Sequence, residues 1–233
     1  STRLTMGGGV GLPPGRVVWP RPIKYSGEQV VLRAMKRVVF GGRGGLAELR
    51  SAGFIPGRLQ GDFLPDKPLQ LFRNEVMKHE KAPGFEMRLL RLVLDDGEDV
   101  LALPRQVDRT LESRMAAIHN MGLVRWPRDP ESHPLKVNIP ISIVNEDKIP
   151  MVKRGGYVHD MFNCLGGLPC LVETPDFPHT VVADMDLADS KGDFRWEQLS
   201  SQLPPGVTVQ KGLRGFTEHP NFLVARAKRV RGS

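Results

Sequence analysis

The chain has 233 residues, enough for two modest domains at about 100–200 residues each, and its 40% hydrophobic content argues against wholesale disorder. Lys and Arg number 33 against 26 Asp and Glu, a net charge of +7, and no apolar run approaches the roughly 20 residues that a bilayer-spanning helix needs. Cys164 and Cys170 are the only cysteines, so nothing points to a disulfide-stapled secreted scaffold.

Residues 1–29 predict an extended basic arm. Arg3, Arg16, Arg21 and Lys24 precede the first acid, Glu28, and the chain opens on Ser1. That bias is expected near a mitochondrial presequence boundary, while Gly7-Gly8-Gly9 and Pro13-Pro14 disfavour a helix. Trp19, between Val17, Val18 and Pro20, is a candidate for docking on a neighbouring protein.

Residues 30–40 are β-branched and basic and predict a first strand. Residues 46–52 carry Leu46 and Leu49 at helical spacing, with Gly53 as a left-handed cap. Pro56 forces extended chain, and Leu69-Gln70-Leu71-Phe72 predicts the next strand. Asn74 is a candidate N-cap for a helix through Glu80, stopped by Pro83-Gly84. Residues 87–94 and 100–103, around Asp95-Asp96-Gly97, predict a hairpin from the Asp-Gly turn chemistry. Residues 111–119 look helical, and Leu123-Val124-Arg125-Trp126 closes the unit as a strand.

Pro127, Pro130 and Pro134 mark a hinge. Beyond it Val137-Asn138-Ile139-Pro140-Ile141-Ser142-Ile143 alternates, and residues 170–174 and 181–185 predict further strands of an antiparallel β domain. After Gln210 the periodicity fades into a basic extension. The expected organisation is a basic arm (1–29), a barrel domain (30–126), a C-terminal β domain (135–210) and a basic extension (211–233). The fold class is mainly β with short helices.

Charge is unevenly spread. Glu28 and Glu48 are the only acids in residues 1–60, whereas residues 161–210 carry Glu173, Asp176, Asp184, Asp186, Asp189, Asp193 and Glu197 against Lys191 and Arg195. Arg226, Lys228, Arg229 and Arg231 make the end basic again. Basic ends on an acidic body point to attachment to a polyanion, most commonly nucleic acid.

The order and spacing of several short segments carry a resemblance. Gly42-Arg43-Gly44, followed by Leu49-Arg50-Ser51-Ala52-Gly53-Phe54-Ile55-Pro56, is one. Gly155-Gly156, Glu173-Thr174-Pro175-Asp176-Phe177-Pro178, Lys191-Gly192-Asp193 and Leu203-Pro204-Pro205-Gly206-Val207 follow. Together they resemble the bacterial L-25 ribosomal protein family in its two-domain CTC, or general stress protein, form, across about residues 30–210. The resemblance implies a β-barrel domain that binds 5S rRNA and a β-rich second domain, seated in the central protuberance of a large ribosomal subunit. The added basic arms suit a mitochondrial version, serving 5S rRNA or its replacement.

The partners so implied are rRNA and neighbouring large-subunit proteins, with no cofactor, small-molecule substrate or membrane. Arg43 in its glycine turn, with Lys36, Arg37, Arg50 and Arg58, supplies the expected phosphate contacts. Arg105, Gln106 and His119 stand where the family has a Gln-Arg-His-Pro element and then His-x-Asp-Phe; here Met121-Gly122-Leu123 replaces the acidic-aromatic ending, and Leu59-Gln60-Gly61 replaces the family's tyrosine. Arg226, Lys228, Arg229 and Arg231 are expected to thread along rRNA. Two alternatives stay open: a free RNA-binding stress or regulatory factor, and a tRNA-binding module like synthetase anticodon-binding barrels.

No catalytic set emerges. Gly41 to Gly45 lacks the Gly-Lys-Ser/Thr of a phosphate loop. His159, Asp160, Cys164, Cys170 and His179 lack the paired Cys-x-x-Cys spacing of zinc, and no motif makes Cys164 a nucleophile.

Overall fold

The structure, a computed structural model, describes residues 30–37, 43–81, 84–112 and 115–229. Its first unit is a closed six-stranded barrel. In chain order come β1 (Val30–Lys36), α1 (Arg43–Ser51), β2 (Phe54–Gln60), β3 (Lys67–Phe72), α2 (Arg73–Glu80), β4 (Leu90–Leu94), β5 (Asp99–Glu112) and β6 (Met115–Arg125). Around the wall the order is β1-β3-β2-β6-β5-β4, and β1 closes the ring by pairing parallel with β4.

Period-2 alternation builds the interior. Leu32 and Ala34, Ile55 and Leu59, Leu69 and Leu71, Leu90, Leu92 and Leu94, and Met121 and Leu123 all point inward and are buried. Small barrels are filled by such side chains, and α2 and the turn after it add Val76 and Phe85. Gly57 also faces inward, where a Cβ would lie 3.0 Å from Leu71 Cδ1 and 3.1 Å from the Met121 carbonyl oxygen. The scarcity of aromatics is thus matched by a Leu-rich barrel with Phe85 as its one buried ring among the described residues.

Local signals explain most boundaries. Gly53 (φ 85°) stops α1 in the left-handed conformation, and its N–H donates to the Arg50 carbonyl at 3.0 Å. The second helix starts before Asn74: Phe72 holds the cap position without a side-chain cap bond. Glu75 anchors that first turn instead, accepting the Arg33 backbone N–H at 2.9 Å and Arg33 Nε at 2.5 Å.

Residues 111–119, expected as helix, are strand. Leu111, Met115 and Ile118 fall at helical spacing, but β6 must run extended to pair with β2 from Met121 to Val124. Its upstream half then satisfies its backbone by laddering along β5, from Asp108↔Asn120 to Glu112↔Met115. β4 pairs with β5 only as far as Ala102, so the outer part of this hairpin is a two-stranded ribbon. Arg109 ties the ribbon to Glu86 at 2.6 Å and to Glu80 at 3.4 Å.

The second unit contains β7 (Leu135–Ile139), β8 (Ile141–Val144), α3 (Pro150–Lys153), β9 (Tyr157–Asp160), β10 (Leu168–Val172), β11 (Val181–Asp184), β12 (Asp193–Arg195), α4 (Trp196–Leu199), β13 (Val207–Val209) and β14 (Leu223–Lys228). Two antiparallel sheets, β13-β10-β7 and β12-β14-β9, and one parallel pair, β11-β8, enclose Phe162, Phe194, Leu168, Val172 and Leu199.

The expectation that order fades after Gln210 is corrected: β14 is the middle strand of its sheet, with Val224 and Ala225 fully buried. Two alanines and three basic or half-buried residues hid its alternation.

The barrel and the second unit pack against each other. Met87, Leu89 and Leu103, on the barrel's outer side, belong to the second unit's core. Trp126 stacks on Phe177 with ring centroids 6.4 Å apart, and His179 Nδ1 donates to the Met87 carbonyl at 3.0 Å. The proline-marked hinge is also pinned, because Arg128 is bound to Asp62 through both its backbone N–H (3.2 Å) and Nε (3.0 Å).

Candidate nucleic-acid interface

Strand register assembles a polar line across the barrel wall from residues far apart in sequence. Leu59 and Gly57 face inward, so Arg58 must face out, and it is exposed. Arg58 stands level with Pro68 of β3 on one side and Gly122 of β6 on the other. Gly122 in turn stands level with Gln106 of β5, which is also exposed. On the far side the Arg37 N–H donates to the Pro68 carbonyl at 3.0 Å. Arg37, just past the end of β1, thus stands at one height with Pro68, Arg58, Gly122 and Gln106 on four adjacent strands.

Gly122 matters because it has no side chain. A Cβ there would lie 3.2 Å from the Gln106 Cβ. The middle of the line is therefore bare backbone, bounded by a guanidinium and a carboxamide, and a ligand can approach the sheet closely.

Beside this line Asp108 accepts from Gln106 Nε2 at 3.2 Å and from Asn120 Nδ2 at 3.2 Å. Those bonds fix the Gln106 amide with its oxygen unclaimed by Asp108. α1 lies next to β2, and its Arg50 Nε donates to the His119 carbonyl at 3.4 Å. His119 Nδ1 is buried without a hydrogen-bond partner, as are Arg88 Nε and Arg125 Nε elsewhere in the fold.

The structure therefore brings together Arg37, Arg50, Arg58, Gln106 and His119. Lys36 is exposed at the end of β1, its backbone N–H bound to Asp95 Oδ1 at 3.0 Å. Arg43 opens α1, but its side chain lies outside the described residues, as do Arg231, Trp19 and the arm of residues 1–29.

Others sit elsewhere. Arg105 occupies a bulge of β5 and donates to the Lys136 carbonyl, at the junction with the second unit. Arg226 lies within β14, and its Nε and Nη2 each meet a carboxylate oxygen of buried Asp193 at 2.6 Å. Lys228 pairs with Tyr157 at the end of β14. Arg229 borders a groove of about 800 Å³ together with Lys148 and Arg154.

Asp108 and Asn120, beside the line, are polar neighbours that sequence reasoning missed. The signal available was Gly122, a glycine inside a strand, which marks close backbone approach. Among the described residues no group of three or more His, Cys, Asp or Glu side chains is placed to hold a metal. Cys170 is buried in the core, which pushes its thiol up to about 12. What remains is a surface of guanidinium, carboxamide and bare backbone, suited to phosphates, hydroxyls and base edges.

No family model matches the chain. A large ribosomal subunit protein bL25 from Bartonella tribocorum is 31% identical over 189 residues, covering 80% of this chain and 83% of the relative. The bL25 protein of a Chelativorans species is 29% identical over 197 residues, covering 81% and 83%. That of Dinoroseobacter shibae is 27% identical over 169 residues, covering 72% and 74%.

Proposed function

The chain belongs to the bL25 family of large ribosomal subunit proteins, and from that premise we propose that its barrel wall binds rRNA. Its relatives are ribosomal proteins and not enzymes, so its role is structural. The carrying observation is the line of Arg37, Arg58, Gly122 and Gln106, in which one glycine opens the sheet between basic and amide groups. Double-stranded RNA is recognised largely through its phosphates, 2′-hydroxyls and groove shape, and this surface offers donors for each.

The finer reading places the protein in the central protuberance, on 5S rRNA or its replacement, in a mitochondrial large subunit. The acid-free, basic residues 1–27 support the organelle.

Sucrose-gradient sedimentation of organelle lysate tests the assignment. The protein is expected in the large-subunit fractions; recovery only at the top of the gradient refutes it. With purified chain and large-subunit rRNA, Arg58→Ala is expected to reduce the log–log salt slope of binding by about 0.7–0.9 for one lost phosphate contact. An unchanged slope removes Arg58 from the interface.

A further inference from the structure

The loop between β2 and β3 holds an aromatic ring out in solvent on an unusual backbone. Gly61, Asp62 and Phe63 have φ of 95°, 60° and 55° in succession. Side chains beyond glycine rarely adopt this region, and where they do the surroundings must impose it. Here they do. Arg128 grips Asp62 through its backbone N–H and Nε at 3.2 and 3.0 Å. Gln60 Nε2 donates to Asp66 at 2.8 Å, and the Leu64 N–H donates to the Gly61 carbonyl at 3.3 Å.

The result is that Phe63 is 86% exposed, well beyond the next most exposed large hydrophobic side chain among the described residues, Leu187 at 57%. His133 braces it in an edge arrangement, with centroids 5.1 Å apart at 72°. An apolar ring held outward by strained backbone, on a loop anchored at both ends, is poised for a contact that folding alone does not need.

The chemistry around the ring indicates the occupant. Arg58, paired with Asp66, and Arg128, paired with Asp62, sit at the loop's two acids with side chains 63% and 79% exposed. Asp66 lies 3.5 Å from Arg58 with its side chain 49% exposed, whereas the Asp62 side chain is only 12% exposed. Each guanidinium is thus more exposed than the carboxylate it pairs with, most clearly at Arg128. Leu64, at 37%, and Pro65 are the other exposed apolar residues of the loop, a short run that lacks the broad apolar core of a protein hot spot. Through Arg58 the loop is continuous with the polar line on the barrel wall.

We propose that Phe63 is a stacking platform for an unpaired base of the RNA lying on that wall, with Arg128 beside it for the adjoining phosphate. This rests on the rRNA-binding reading above. An aromatic face accepts any base, and a flanking cation serves the backbone.

Full-length protein titrated with purified large-subunit rRNA provides the test. Phe63→Ala is expected to weaken binding about 5- to 150-fold, the range of one base–aromatic stack. The salt slope should stay unchanged, because no phosphate contact is lost. Phe63→Tyr should restore affinity and Phe63→Leu should not. Phe63→Trp should bind, and its fluorescence should be quenched on the RNA.

Wild-type affinity in Phe63→Ala, or full rescue by leucine, overturns the stacking role. Wild-type rRNA affinity with loss of subunit association would assign Phe63 to a pocket on a neighbouring protein, and overturns it equally. Failure of the wild-type chain to bind rRNA at all removes the underlying reading, and this proposal falls with it. Unchanged thermal unfolding of each variant confirms that the exposed substitution leaves the fold intact.

Discussion

Asparagine in place of Asp193 separates the two roles that Arg226 could play. Asp193 is 4% exposed and receives Arg226 Nε and Nη2 at 2.6 Å each, with Arg195 Nη2 at 3.2 Å. Asp193→Asn keeps the shape but turns an amide N–H₂ towards guanidinium donors. Removing one partner of a buried ion pair costs about 3–5 kcal/mol, and a hydrogen bond to a charged group contributes about 1.5–3 kcal/mol. The Arg226 side chain is 45% exposed and can turn into water, which favours the lower figure.

The expected loss is therefore about 2–3 kcal/mol at pH 7, or roughly 4–12 °C in Tm for a chain of this size. Urea and thermal unfolding followed from neutral to acid pH measure it. The Arg226 guanidinium holds the Asp193 carboxyl below its ordinary value. Its stabilisation is thus complete above the unfolded value, near pH 4, and is lost as the pH falls through the folded value. The gap between wild type and variant should close as the solution is taken from about pH 4 downward. No gap at pH 7, or one that persists unchanged into strong acid, would refute the assignment of Arg226 as a structural cation.

Burial lowers the His179 pKa, with Arg88 acting in the same direction against the Met87 hydrogen bond; the contact with the barrel should be fully stable above about pH 6.5 and weaken below it. Hydrogen exchange at residues around Met87 between pH 7.5 and 5.5, as an order-of-magnitude window around the imidazole range, reads this, and stronger protection at the acid end would contradict it. Gly167 has φ 136°, and a Cβ there would lie 2.4 Å from the Ile139 carbonyl oxygen, so Gly167→Ala must prise β10 from β7 and should cost about 3 kcal/mol or more. Gly166→Ala, at φ 74° with nothing within 4 Å, should cost only about 1–2 kcal/mol, and equal losses in urea unfolding would dismiss the close-approach argument.

The barrel strands were legible where polar residues alternate with Leu, Ile or Val, because period-2 patterning is local: β2, β3 and the turn into β5 lie close to where the residues alone place them. The ribbon of residues 105–120 was not legible, since its helical spacing is overruled by a ladder that exists only once β6 meets β2. Likewise Arg226 looked like tail charge until Asp193, 33 residues away, came to lie opposite it.

Arg37, Arg58 and Gln106 could be named from residue type and resemblance, but not the line that gathers them, because register is a relation between strands. Phe63 shows the same boundary from the other side. In the sequence it stands in an apolar pair, Phe63-Leu64, that belongs as naturally inside a core as outside one. By itself the chain determined its periodicities, its turns and the family whose segments it carries in order. Which charges are bound within the fold, and which rings are held out of it, was decided by tertiary structure. Pairing, burial and backbone strain depend on neighbours that only folding brings within a few ångströms.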